Sequence, residues 1–197
     1  MWRKYTCGLY PRPAQIVGMS PYSYFDDPAV GVSPSTSHPR FVELAPAFFY
    51  NVADDFSPFG SDSGADTYNF LQQWYQAEQG DAAAFLPVQL SGWALQITPA
   101  ILETSDENLH DFLDAKPTNW MWLVDSATAV VTTALGQLKI EGIIDPGLLQ
   151  HARVALAVIR RLYSDTAHAP DWAHQARGLA SLDAIEAVLQ RVADEDQ

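Results

Sequence analysis

The sequence predicts a mainly α-helical protein, an orthogonal or antiparallel helical bundle carrying an irregular, proline-rich N-terminal arm. Three observations predict it. Residues 119–139, 145–163 and 170–193 each repeat apolar side chains at i, i+3, i+4 and i+7, the period of a helix with one buried face. Helix-start signals precede several of these runs, the strongest being Asp145-Pro146. Prolines and glycines crowd the first forty residues, where proline fixes φ and removes a donor, so no long helix fits. The expected organisation is an arm over 1–40 and a helical domain with one core over 41–197. A hydrophobic fraction of 48% is enough to build that core and argues against global disorder.

After the arm, Pro39 opens a short helix, RFVEL, which Pro46 interrupts. Phe48, Phe49 and Tyr50 then form an aromatic knot suited to the core. The stretch SPFGSDSGAD is turn chemistry. Beyond it Tyr68, Leu71, Gln72 and Tyr75 share a helical face, with Phe70 and Trp74 as a second apolar pair. Asp62 or Ser63 is expected to cap this helix, with Asp66 in its first turn, where the macrodipole favours an acid. Gly80-Asp81 ends that helix and caps another, which Pro87 should keep short. Thr98-Pro99 reads as a further helix start, and Thr104 to Glu107 has the spacing of a capping box.

The helix over 119–139 carries its main stripe from Trp120 to Leu138. Met121, Trp122, Ala129 and Val130 make it apolar on a second side, so it should be central and mostly buried. The next helix ends in Arg160 and Arg161, where cations suit the dipole. The last helix is expected to break at Gly178. Short connections between these three favour antiparallel neighbours.

Charge narrows the function classes. The net charge is −13, and between Phe41 and Ala115 there are twelve acids and no Lys or Arg. From Lys116 onward seven basic residues nearly balance ten acids. A field of this sign repels nucleic-acid phosphate and anionic lipid and attracts a basic protein or a cation. No nucleic-acid or membrane partner is therefore expected. Nothing approaches the length of a membrane span, the N-terminal MWRKYTCGLYPRP lacks a signal-type apolar run, and one cysteine permits no internal disulfide. A cytoplasmic location is expected.

Asp54, Asp55, Asp62, Asp66 and His38 are the candidate site residues. Closely spaced carboxylates can bind a hard cation, yet the EF-hand spacing fails and no zinc pattern occurs among the five histidines. No metal or cofactor is expected. Asp171 and His174 share a helix face, an arrangement that orients a base but is commoner as a surface hydrogen bond. There is no nucleophile elbow, no Walker loop and no dinucleotide fingerprint. The balance of the residues is against an enzyme. The leading expectation is a non-enzymatic acidic binding protein, immunity- or antitoxin-like, that engages a basic protein. The alternative is a small metal-dependent hydrolase using the 54–66 aspartates.

Residues 36–75 carry a resemblance. Thr36, Ser37, His38, Pro39, Phe48, Phe49, Asp54, Asp55, Pro58, Phe59, Gly60, Ser61, Asp62, Gly64, Asp66 and Trp74 follow a pattern similar to that of the uncharacterised bacterial YfeS-type proteins. Some members carry a separate WGR domain, and no such module is apparent in this chain. The resemblance implies a shared scaffold and no activity.

Overall fold

A computed structural model describes residues 24–92, 106–167 and 172–196. Seven α-helices occur among them: α1 (Pro39–Leu44), α2 (Asp62–Gln76), α3 (Ala82–Gly92), α4 (Asp106–Ala115), α5 (Asn119–Glu141), α6 (Pro146–Ser164) and α7 (Gln175–Glu195). No β-strand occurs among the described residues, where pairing is limited to an isolated bridge between Asp27 and Gly31. The fold is mainly α. No described helix is long and apolar enough to cross a membrane.

Helix α5 sits at the centre. From Ala129 to Ile140 every residue is buried, as the two-sided apolar pattern requires there, whereas Met121 and Trp122, which the pattern also assigns to the second side, are 51% and 45% exposed because no described element covers that side of the first turns. The last turn closes on Gly142, whose φ of 77° is left-handed and whose N–H donates to the Leu138 carbonyl (2.9 Å). The turn that follows is short, and α6 returns antiparallel to α5. Asp145 caps α6 by accepting from Gly147 N and Leu148 N, as the Asp-Pro signal predicts. Helix α7 runs antiparallel to α6: Arg153 donates to Gln190, and Arg160 donates to Asp183 and Glu186.

Helix α2 lies along α5 in the parallel sense. Tyr68 and Leu71 meet α5 at Gly136, and the Tyr75 hydroxyl donates to Glu141 (2.8 Å). The parallel pairing is open to α2 because α3 and α4 intervene in the chain, so no tight turn dictates direction. Tyr68, Leu71, Gln72 and Tyr75 are all buried, the face that the spacing predicts. Phe70, paired with Trp74 in the sequence pattern, is 44% exposed, whereas Trp74 packs on the core. A smaller cluster joins α4, α5 and α6 through Leu109, Leu113, Leu123, Val158 and Leu162.

Three local expectations are corrected. Pro87 lies inside α3, which continues to Gly92; the proline costs one backbone bond without ending the helix. Gly178 does not break α7 but is buried within it, because the rings of Tyr163 and Phe56 press on the space where a Cβ would stand. The N-cap of α2 is Ser61, whose Oγ accepts from Gly64 N (3.1 Å), so Asp62 is the first helical residue and Asp66 lies a turn further on. The start signals at Thr98-Pro99, the capping box from Thr104 and the Asp171–His174 pair fall wholly or partly outside the described residues.

Residues 24–38 are irregular and strap the C-terminal end of α5. Tyr24 N and His38 N donate to the Ile140 and Lys139 carbonyls, two groups that the helix end leaves unpaired. Lys139 is fully buried, and its ammonium donates to Asp26 Oδ1 (2.6 Å) and the Thr36 carbonyl (2.9 Å). It also stands over the Tyr68 ring, 5.2 Å from the centroid. Burial pushes its pKa down, and the Asp26 carboxylate opposes that shift. Asp26 is itself held by Thr36 Oγ1, and its backbone N–H donates to Gln72.

Breaking one side of a buried pair strands the other charge. Asp26→Leu or Lys139→Met alone should cost about 3–5 kcal/mol, and the double variant should recover most of that loss. Urea unfolding of the three variants checks this. Additive losses in the double variant would show that the pair is not coupled.

Candidate functional site

The segment from Asn51 to Gly60 is a run of linked turns. Asp54 N, Ser57 N and Gly60 N donate in succession to the carbonyls of Asn51, Asp54 and Ser57. Two side chains pin it to the core: Ser57 Oγ donates to the Phe49 carbonyl (3.0 Å), and Thr132 Oγ1 of α5 donates to the Pro58 carbonyl (2.7 Å). Phe59 is buried against Tyr68 and Phe41. Gly60 has no alternative, because a Cβ there would overlap the Asp54 carbonyl. The Pro-Phe-Gly-Ser run thus has a packing reason at each position.

The five candidate residues do not share one point. Asp54 is nearly buried: Oδ1 accepts from Phe56 N (3.1 Å), and Oδ2 pairs with Arg177 of α7 (2.7 Å), whose guanidinium lies 5.3 Å from the Phe56 ring centroid. Asp55 is exposed. Asp62 and Asp66 are exposed on α2. His38 is elsewhere. Its Nδ1 accepts from Arg40 N (3.1 Å) to cap α1, and its ring packs against Gly142 and edge-on to Tyr24. Burial first, then the Arg40 charge, lower its pKa. The loop is anchored at Thr132 and the histidine at Gly142. At 1.5 Å per residue that is about 15 Å of helix rise.

A cleft opens where the loop meets α5, α6 and α7, lined by Asp55, Phe56, Thr128, Tyr163, Gly178 and Ser181 among others. Its volume is about 40 Å³, room for a few waters. Tyr163 stands in it, its hydroxyl pushed up to about 12 by burial and by the charges of Asp55 and Asp125. Asp125, on α5, is half-buried. Burial raises its pKa, the Asp62 charge adds to the shift, and a hydrogen bond from Ser63 opposes it. No group of three or more His, Cys, Asp or Glu side chains among the described residues is placed to hold a metal ion.

Asp125, Tyr163 and Arg177 are the residues that sequence reasoning does not single out. A signal exists for one of them: Asp125 and Lys139 are the only charged residues between 119 and 139 of an apolar helix. A charge kept in such a helix needs a partner or a role. Arg177 offers no such signal, since its partner Asp54 is remote in the chain.

Two outcomes follow for stability. Gly60→Ala should cost about 3 kcal/mol or more, because the added methyl meets backbone and not a side chain that can turn away; denaturant midpoints read this. Tyr163 ionises near 10 when unfolded and about 12 when folded, so its contribution is complete below pH 10 and is lost as pH rises from 10 to 12. Tyr163→Phe should flatten that part of the alkaline stability curve. An unchanged curve, followed by thermal midpoint and phenolate absorbance, would contradict it.

No family model matches the chain, and no solved structure does. The chain is 32% identical over 139 residues to the "Uncharacterized protein YfeS" of Escherichia coli (strain K12), which covers 68% of this chain and 54% of that protein. The chain therefore spans about half the length of this curated relative. Over the region they share, the chain belongs to the YfeS-type family of uncharacterised proteins.

Proposed function

We propose that the protein is a non-enzymatic binding protein that receives a basic protein partner on the acidic surface of the 54–66 loop and α2. The observation that supports this is how the charges pair. Arg160 is matched by Asp183 and Glu186, Arg40 by Glu195 and Asp196, and Arg177 by Asp54. Asp55, Asp62, Asp66, Glu78 and Asp111 are exposed, and none of them forms an ion pair with a described Lys or Arg. Of the cations of the second half, Arg160 and Arg191 meet acids of α7, while Lys139, Arg177 and Arg191 reach only Asp26, Asp54 and Glu43 of the first half, so most first-half acids keep their negative field.

Such a field steers a basic partner and raises its association rate, at the cost of repulsion within the free protein. The same field disfavours nucleic acid. An immunity- or antitoxin-like role in the cytoplasm suits this surface, since an inhibitor of a basic enzyme gains from fast, charge-driven capture.

The test uses a basic peptide of mixed Lys and Arg as a stand-in for the partner. Asp62→Lys with Asp66→Lys should weaken its binding about tenfold or more and reduce the dependence on salt. The thermal midpoint should move only slightly, since both side chains face water and the lost helix-dipole contact of Asp62 costs about 0.3–1 kcal/mol. Equal binding by the variant and the unaltered chain, measured by calorimetry at two ionic strengths, would remove the reading.

A further inference from the structure

Trp122 and Met121, in the first turns of α5, are 45% and 51% exposed. Neither belongs to a hydrophobic cluster, although their neighbours Trp120 and Leu123 do. A single exposed apolar residue needs no explanation. What distinguishes Trp122 is its surroundings. Asp125 lies at i+3 on the same helix, so the two side chains are neighbours on its surface. Ser63 and Asp62, at the start of α2, lie close enough to Asp125 to act on its carboxyl. Asp66 follows one turn further along α2, in the direction away from Trp122. None of these three carboxylates forms an ion pair with a described Lys or Arg. Helix α2 starts beside Asp125, where its dipole brings about half a positive charge against three carboxylates; α5 starts earlier, at Asn119, and Asp125 lies in its second turn, beyond the reach of that dipole. The surface around the indole stays negative.

The chain holds its own example of what such a surface accepts. Arg177 lies over the Phe56 ring (5.3 Å) while pairing with Asp54 (2.7 Å), an aromatic face and a carboxylate sharing one guanidinium. Trp122 beside Asp125 offers the same two elements with no cation between them, and indole is the better ring for the purpose.

Building on the basic-partner reading, we propose that Trp122, Asp125 and Asp62 form a docking surface for an arginine-bearing segment of that partner, with a guanidinium stacked on the indole and paired to the adjacent Asp125 carboxylate. Arginine is the fitting cation because its plane stacks and its fork binds carboxylate in two places. The ammonium of lysine is a hydrated point charge.

The experiment titrates the full chain with an Arg-rich and a Lys-rich peptide of equal length and charge. The Arg peptide should bind about tenfold tighter. Trp122→Ala should erase that difference without moving the thermal midpoint, and Trp122→Phe should retain most of it. Asp62→Lys with Asp66→Lys should weaken both peptides. Equal affinity for the two peptides, untouched by Trp122→Ala while the lysine variants still weaken both, would overturn this surface and leave the basic-partner reading standing. Binding of neither peptide would overturn both. Self-association of the free chain that Trp122→Ala abolishes would assign the face to a second copy, and also overturns the proposal.

Discussion

The structure depends on the burial of α5. With every residue from Ala129 to Ile140 enclosed, one helix must be covered on all sides at once. The rest of the chain follows from that demand: α6 returns antiparallel along it, α2 packs beside it, α3 and α1 close over it, and the 51–60 turns hang from Thr132. The constraint is strictest at Lys139. An ammonium inside the core would be intolerable alone, so Asp26, the Thr36 carbonyl and the Tyr68 ring surround it. The 24–38 segment, irregular apart from one 3-10 turn over Pro34–Thr36 and the Asp27–Gly31 bridge, therefore has a structural task. It supplies the counter-charge and covers two carbonyls at the helix end.

The polar surface divides along the same lines. Helices α6 and α7 cross-link through Arg153 and Arg160, which meet acids and an amide of α7. The helices at the acidic end of the chain have few basic residues with which to pair. The loop that carries the densest family pattern serves both sides. Pro58, Phe59 and Gly60 hold the scaffold, and Asp54 ties the loop to α7 through Arg177. Asp55 and Asp62, set among them, remain at the surface. A motif shared with YfeS can thus be structural at most positions and still leave certain carboxylates for another use.

Particular residues show how far the sequence could be read. The face of α2 was legible because four side chains at helical spacing admit one buried side, and the caps at Asp81 and Asp145 were legible because a side-chain oxygen two or three residues ahead of free N–H groups is a local event. Ser61 was less legible, since Ser61, Asp62 and Ser63 all offer a capping oxygen and only the loop's path selects among them. Pro87 and Gly178 depart from their local propensity for a common reason. Propensity describes an isolated helix, while packing of Phe85 and Leu86 in α3, and of Tyr163 and Phe56 on α7, decides the outcome here.

The sequence by itself determined the helical class, the centrality of α5 and the acidic bias of the first half, because periodicity and composition are local properties that burial and the Coulomb field act on directly. The tertiary structure alone decided which charges meet. Asp26 faces Lys139, Asp54 faces Arg177, and Asp125 adjoins Ser63, each pair remote in the chain. It also placed His38 away from the aspartates it neighbours in sequence. Such pairings depend on how helices stack, and no residue spacing encodes that, because an ion pair acts over a few ångströms of space regardless of the length of chain between its partners.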